Sequence, residues 1–207
     1  MRIITISREF GSGGRELGKR MSDLLGWDYY DREIITRIAQ EKGLDEDYVD
    51  RMLARLPQQP ITIRQSFSVL PMQNVGAELL GKERQVIERI AETGRDCVIV
   101  GRNADVYLRH LNPFTIFVCA SAAAKRLRCR QRASAEEHLS DRELNRRIRA
   151  IDKNRAGIRT LVGGNPWGER SSYQITLNTT DWEIRDLAPA AAELARSWFE
   201  RQQKASQ

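Results

Sequence analysis

The sequence is poor in the residues that build metal clusters and disulfides, with three cysteines and two histidines among 207 residues. No two cysteines form a Cys-x-x-Cys pair, and His110 and His138 are the only histidines that could join them as ligands. Structural zinc sites and disulfide frameworks need such clusters. The sequence thus argues against both, and we expect Cys97, Cys119 and Cys129 to be reduced thiols.

Long apolar runs are missing as well. No stretch approaches the roughly 20 apolar residues that a helix needs to cross a bilayer, and the first residues lead directly into a predicted strand rather than into a signal peptide. Hydrophobic residues make up 41% and charged residues 30% of the chain, as in a soluble globular protein. We therefore expect a cytoplasmic protein.

Positive charge, in contrast, is abundant and unevenly distributed. The formal net charge is +6 and the sequence pI is about 9.5. The excess lies in one segment, which contains Lys125, Arg126, Arg128, Arg130, Arg132, Arg142, Arg146, Arg147, Arg149, Lys153, Arg155 and Arg159. Such a field suits a compact polyanion such as a nucleoside triphosphate as well as a nucleic-acid backbone.

The N-terminal stretch Ile3–Lys19 has the strongest functional signal. An apolar β-branched run is followed by Gly-Ser-Gly-Gly and then by a segment with helical periodicity. This order presents backbone N–H groups and a helix dipole to a phosphate. The fit to Gly-x-x-x-x-Gly-Lys-Ser/Thr is imperfect. We place Gly14 at the Lys position and Glu16 at the Ser/Thr position.

Apolar strands alternate with helical segments along the rest of the chain. Further strands are predicted at Trp27–Asp31, Cys97–Val100, Thr115–Cys119 and Tyr173–Leu177. Helices are predicted at Gly13–Leu25, Arg32–Gln40, Asp45–Leu56, Val75–Thr93, Ala104–His110, from Ser121, at Ser140–Arg159 and at Trp182–Gln203. This alternation predicts an α/β fold with a parallel sheet, whose carboxyl ends meet at one edge. That edge would carry Ser7–Gly14, Asp31, Gly101–Asn103 and Ala120–Ser121.

Four motifs, taken in order, resemble the cytidylate kinase-like branch of the P-loop nucleoside monophosphate kinases. They lie at residues 4–18, 29–35, 98–103 and 151–155. The resemblance implies a three-layer α/β/α P-loop NTPase fold with a five-stranded parallel sheet, in a single domain over residues 1–207. It also implies a helical, arginine-rich lid over residues 125–159 and a variable insert or flap over residues 45–71. The implied activity is transfer of the ATP γ-phosphoryl group, with Mg²⁺, to a nucleoside monophosphate such as CMP or to a related small acceptor.

The resemblance assigns site residues by position. The phosphate loop of the family falls on Gly11, Ser12, Gly13 and Gly14. The groups around the acceptor fall on Asp31, Arg37, Arg102, Asp152 and Arg155. The lid arginines that cross the donor phosphates fall on Arg128 and on Arg130 or Arg132. From the residues alone, Asp31 could equally cap the helix that follows it.

Two replacements for the missing groups are available within the loop. Arg15 or Arg8 could bring a guanidinium to the β- and γ-phosphates in place of Lys. Glu16 could bind Mg²⁺ directly, since a carboxylate suits that cation, or it could be an ordinary first-turn acid stabilised by the helix dipole. We thus predict catalytic roles for Arg15, Glu16, Arg128 and Arg132, and phosphate binding by Arg8.

Two other functions remain open at the level of sequence. The altered loop could belong to a nucleotide-sensing module without kinase activity, and the basic helices could bind nucleic acid, which we expect less. The irregular segment Pro57–Pro71 could be an acceptor flap or the contact of a homodimer.

Overall fold

A computed structural model describes residues 1–55, 71–133 and 139–205. The strands are β1 (Ile3–Arg8), β2 (Asp28–Tyr30), β3 (Cys97–Val100), β4 (Phe114–Cys119) and β5 (Ile175–Asn178). The helices are α1 (Gly14–Leu25), α2 (Glu33–Lys42), α3 (Glu46–Arg55), α4 (Pro71–Glu92), α5 (Ala104–Tyr107), α6 (Ala122–Arg132), α7 (Asp141–Leu161) and α8 (Ile184–Ala205). Short 3-10 turns lie at Arg109–Leu111 and Arg170–Ser172.

Within these residues, five strands form one all-parallel sheet in the order β2-β3-β1-β4-β5. The central strand β1 pairs with β3 on one side and with β4 on the other, so that Ile4 lies between Val98 and Phe114. All three strands are mostly apolar and almost wholly buried because helices cover both of their faces. The predicted α/β fold with a five-stranded parallel sheet is confirmed.

Two hydrophobic cores make the structure three-layered. On one face of the sheet, strand residues such as Ile99 pack with buried residues of α2, α3, α4 and α5. On the other face, Val98 and Val100 pack with α1 and α8. Successive strand residues alternate between these two cores, as the period of two in a strand requires.

The two basic helices have few contacts with these cores. No residue of α6 is buried, and α7 buries only Leu144, Ile148 and Arg159. Their ends are nevertheless well defined, because Ser121 caps α6 and Ser140 forms a capping box with Glu143 at the start of α7. Their stability thus comes from caps and ion pairs, which suits the arginine-rich lid that the sequence predicts.

Several predicted boundaries need correction. The helix predicted from Val75 begins at Pro71, whose fixed φ and missing N–H suit the first helical position. Only Ala104–Tyr107 of the short predicted helix is α-helical. Pro57 and Pro60 lie outside the described residues, and the flap or dimer contact in that segment stays a prediction.

Two findings bear on the absences noted in the sequence. Cys97 is a free thiol in the core, and burial raises its pKa to about 12. Among the described residues, no helix is both long enough and apolar enough to span a membrane.

Close packing between α1 and the sheet gives a first prediction. A Cβ on Gly18 would lie 2.5 Å from Cγ2 of Val100 and 3.1 Å from Cδ1 of Ile6. We expect Gly18→Ala to lower the free energy of unfolding by about 1–3 kcal/mol, through overpacking, in urea denaturation. Gly81→Ala is the matched control, because it lies in a helix with nothing within 4 Å of the added Cβ. It should raise stability by up to about 1 kcal/mol, and equal effects of the two substitutions would contradict this packing.

Candidate active site

The polar residues that follow four of the strands lie at one edge of the sheet. Ser7 and Arg8 end β1, Asp31 follows β2, Gly101 follows β3, and Ala120 follows β4. Parallel strands place their carboxyl ends on the same side. The edge is therefore a site assembled from distant parts of the chain.

The glycine loop between β1 and α1, residues 9–13, leads into a run of backbone N–H groups that can donate hydrogen bonds. Gly11 and Gly13 have φ values of +78° and +86°, which L side chains rarely adopt. Helix α1 begins directly after Gly13, and the first bond into the helix is from Leu17 N–H to the Gly13 carbonyl. In the described part of the chain, the N–H groups of residues 13–16 meet no acceptor. These donors, together with the helix dipole, can bind an anion.

Neighbouring elements hold this loop in place. The buried Ser12 donates through its hydroxyl to the Glu9 carbonyl at 2.8 Å, and the Thr179 hydroxyl donates to the Ser12 carbonyl at 2.7 Å. A Cβ on Gly11 would lie 2.9 Å from the Lys125 carbonyl oxygen, so the loop passes close to α6. The backbone donors are thus preorganised.

Two carboxylates connect the loop to the basic helices. Asp152 on α7 accepts a hydrogen bond from the Phe10 N–H at 2.7 Å, and burial raises its pKa. Glu9 accepts from the Ala120 N–H at 3.2 Å and pairs with Lys125 at 3.0 Å. The start of α6 and the middle of α7 are therefore fixed against the loop.

Arginines crowd the same edge around one buried carboxylate. Arg8 pairs with Asp31 at 3.4 Å, Arg15 pairs with the other oxygen of Asp31, and Arg155 donates to the Arg8 carbonyl at 2.8 Å. The pKa of Arg8 is lowered to about 9, mainly by burial and also by the neighbouring Arg155, against the opposing effect of Asp31. This local surplus of positive charge favours the binding of an anion.

Two cavities adjoin at this edge, and both are lined by Phe10 and Arg15. The first has a volume of about 280 Å³ and lies between the loop and the basic helices, with Arg128, Arg130, Arg132 and Arg147 among its lining residues. The second has a volume of about 440 Å³ and lies between β1, β3, α3, α4 and α7, with Arg8, Asp50, Glu83, Arg102, Asn154, Arg155 and Trp167 among its lining residues. Two ligands could therefore meet beside the glycine loop.

Residues 3–181 match the profile of the Cytidylate kinase-like family. The chain belongs to this family. The comparison with curated proteins gave no match.

Solved structures share the fold of this cytidylate kinase-like chain. An uncharacterized protein from Eubacterium ventriosum has a TM-score of 0.70 at 19% identity, covering 95% of this chain and 99% of that one. Shikimate kinase from Acinetobacter baumannii has a TM-score of 0.53 at 15% identity, covering 95% and 94%. A gluconokinase from Sinorhizobium meliloti has a TM-score of 0.54 at 13% identity, covering 100% and 98%. These likenesses concern the fold, which is that of P-loop kinases.

The structure brings together most of the residues that the resemblance assigned to the acceptor. Arg102 and Arg155 line the larger cavity, and Asp31 and Asp152 hold neighbouring groups there. Arg37 lies elsewhere, exposed on α2 with its guanidinium 5.8 Å from the centre of the Tyr30 ring. It lines neither of the two cavities described above, and its role towards the acceptor stays a prediction.

Asp31 does not cap α2, contrary to the alternative considered from the sequence. The cap position is Arg32, and no side chain caps this helix. The Asp31 carboxylate is instead directed to Arg8 and Arg15, across the sheet edge. Its role is to hold two arginines.

Two acidic residues of the larger cavity were not predicted. Arg102 pairs with Asp50 at 2.9 Å and lies 3.8 Å from Glu83. Glu83 is buried, and desolvation raises its pKa to about 7 although Arg102 acts in the opposite direction. A signal was present in the sequence, because Glu83 lies at helical spacing from Leu79 and Ile87 within the apolar face of α4.

The lid arginines have partners within the protein. Arg128 donates to the Trp182 carbonyl at 3.0 Å and to the Thr179 hydroxyl at 3.2 Å, so it connects α6 to the end of β5. Arg132 pairs with Glu16 at 2.6 Å. Both line the smaller cavity, and their predicted contacts with donor phosphates stay predictions.

The residues present do not fit a protein-held Mg²⁺ well. Glu16 is engaged by Arg20 at 2.9 Å and by Arg132, one on each carboxylate oxygen. The alignment of Glu16 with the Ser/Thr of the motif is also wrong by one residue. In the motif the Ser/Thr directly follows the Lys, so with the Lys at Gly14 it corresponds to Arg15. No group of three potential ligands occurs in the described ranges. The proposed metal role of Glu16 loses its support.

The buried Glu83 predicts a pH-dependent stability. Its pKa is raised in the folded state from 4.5 to about 7, so folding takes up a proton between these values. Its contribution to stability is full below about pH 4.5 and is lost as the pH rises to about 7. We expect Glu83→Gln to gain stability relative to the parent chain over this range, by about 1–3 kcal/mol.

Urea denaturation between pH 4.5 and 8 measures this difference. Glu92→Gln, an exposed position on the same helix, is the control and should differ from the parent by a constant amount. A constant difference for Glu83→Gln as well would show that folding does not raise the pKa of Glu83 and would contradict this prediction.

Proposed function

We propose that this chain transfers the γ-phosphoryl group of ATP to a nucleoside monophosphate or a related small phosphorylated acceptor, with CMP as the first to test. The observation that carries the proposal is the pair of cavities that adjoin at Phe10 and Arg15. One is bordered by the glycine loop and the basic helices, and the other is lined by arginines of β1, of the turn after β3 and of α7.

The smaller cavity has the properties of a donor site. Its walls include the loop at Gly11 and several arginines of the basic helices. A triphosphate would accept hydrogen bonds from the unpartnered loop N–H groups, and its charge would be balanced by the dipole of α1 and by Arg15 and Arg128.

The larger cavity has the properties of an acceptor site for a phosphate ester. Arg8, Arg102 and Arg155 line it, and burial lowers the pKa of Arg8 and Arg155. A phosphate would relieve the mutual repulsion of these guanidinium groups. Its apolar and aromatic lining, with Trp167 among it, leaves room for a base and sugar.

In this mechanism the protein supplies position and charge rather than a proton acceptor. A phosphate acceptor is already anionic, so it needs no general base. The arginines at the junction of the cavities would stabilise the charge on the migrating group, and the basic helices would exclude water. Mg²⁺ would arrive bound to the triphosphate, because the carboxylates around the loop are already paired with cations.

A second function, nucleotide sensing without turnover, is favoured by the loop itself. Gly14 replaces the usual Lys, and Glu16 is neutralised by two arginines rather than available to a metal. Nucleic-acid binding has less support, because much of the basic segment is internally paired. Arg126 and Arg130 contact Asp141, Lys125 contacts Glu9, and Arg159 is buried against Asp105.

A nucleotide panel separates these functions. We expect ATP and at least one monophosphate to raise the melting temperature, and a coupled ADP-release assay with all common monophosphates to detect turnover on at least one. Stabilisation without turnover on any acceptor would favour sensing. Absence of stabilisation by every nucleotide, together with salt-sensitive binding of RNA or DNA, would contradict both nucleotide functions.

Arg102 provides a test of the acceptor site. We expect Arg102→Gln to raise the KM for the acceptor by about tenfold or more, the scale of a lost hydrogen bond to a charged group, and to change ATP affinity by less than about threefold. Steady-state kinetics and ATP titration calorimetry measure the two effects. Arg109→Gln, at an exposed position beyond α5, should change neither. A larger effect on ATP than on the acceptor would place the donor in the larger cavity.

A further inference from the structure

Gly14 is not the only residue of the loop that departs from Gly-x-x-x-x-Gly-Lys. With Gly13 as the second glycine of the motif, the first glycine falls on Arg8 and the Lys falls on Gly14. The motif has Gly at its first position and Lys at its seventh. This chain has a basic residue, Arg8, at the first position and a glycine, Gly14, at the seventh. The first seven positions of the motif therefore keep one long basic side chain, that of Arg8, which starts from the end of β1; Arg15, at the eighth position, lies on α1.

The structure gives a steric reason for this exchange. A Cβ on Gly14 would lie 2.6 Å from Cβ of Arg8, which is closer than real Cβ contacts. It would also lie at the tight distances of 3.1 Å from Cγ of Arg8 and 3.3 Å from Cβ of Val118. The two positions share one volume. A side chain at position 8 therefore requires glycine at position 14.

A second glycine makes room for the other end of Arg8. A Cβ on Gly101, which follows β3, would lie 1.4 Å from Nη1 of Arg8 and 2.5 Å from Cζ. Gly101 also has a φ of +75°. The side chain of Arg8 therefore runs across the sheet edge between two glycines, and only 14% of it is exposed.

The guanidinium of Arg8 has unused donors where it ends. Its one hydrogen bond among the described residues is from Nη2 to Asp31, at 3.4 Å. A guanidinium has five N–H donors, and one that is mostly buried needs acceptors for them. Arg8 lines the larger cavity beside Arg155. The geometry is that of a cation available to an anion in the larger cavity, close to Arg15, which lines both cavities.

We propose that Arg8 takes the place of the missing phosphate-loop Lys, and that Gly14 and Gly101 are the glycines that make room for it. The cation then reaches the phosphates from the acceptor side of the sheet edge, along β1, rather than from the helix. The role towards phosphate rests on the proposed function, whereas the steric exchange between positions 8 and 14 does not.

A double-mutant cycle tests the steric part without any nucleotide. Gly14→Ala should lower the melting temperature in the parent chain, and the same change in an Arg8→Gly background should leave it unchanged or raise it. Gly81→Ala, in open space, should have the same effect in both backgrounds. If Gly14→Ala lowers the melting temperature equally in both backgrounds, the side chains at positions 8 and 14 do not occupy the same space. The proposed steric link between the two positions would then be wrong.

A second cycle tests the cation, with ATP and inorganic tripolyphosphate as probes in titration calorimetry. Arg8→Gly and Arg8→Gln should each weaken binding by about tenfold or more, and Arg8→Gly with Gly14→Lys should recover most of the loss. Retained binding in Arg8→Gln, in which the side-chain stem remains, would overturn the role of Arg8. The role of Arg8 would also be overturned if the double variant bound ATP and tripolyphosphate no more tightly than Arg8→Gly does. If the parent chain binds ATP but transfers nothing, the proposed kinase function fails while both cycles still decide this proposal.

Discussion

The repulsion among arginines at one edge of the sheet is the constraint on which the site depends. Arg8, Arg15, Arg102 and Arg155 come from different elements and meet where the parallel strands end. Their nearest carboxylates hold them in place but leave a positive excess, and burial of Arg8 and Arg155 makes that excess costly. A bound anion would relieve this repulsion. The proposed phosphate binding rests on this electrostatic imbalance more directly than on any single motif.

Much of the fold could be predicted from local sequence. The buried strands are mostly apolar, and Gly26 and Gly43 end helices in the left-handed conformation. The convergence of polar residues at one edge also follows once the strands are known to be parallel. Less predictable were boundaries that depend on context, such as the start of α4 at Pro71, where a proline was taken as part of an irregular segment.

The sequence predicts which residues lie near the site, but it does not predict which charged side chains form ion pairs there. Glu16 meets Arg132 and Arg102 meets Asp50 across long stretches of chain, and only the tertiary structure brings these charges together. The same holds for Asp31, which sequence alone could not distinguish from a helix cap. Arg37 was placed by the resemblance, yet it is exposed on α2. The family pattern fixes the place of a residue in the backbone but not the direction of its side chain, so the roles it assigns stay predictions.

The central claim is that both cavities bind phosphates of one reaction, with Arg8 reaching those phosphates from the larger cavity. The most direct measurement is a crystal structure with a bisubstrate analogue in which adenosine and a second nucleoside are joined by a polyphosphate. The account predicts one nucleoside in each cavity, with the bridging phosphates within hydrogen-bond distance of the loop N–H groups and of Arg8. An analogue bound away from the loop, or a chain of phosphates that does not contact Arg8 while Arg8 stays on Asp31, would contradict it.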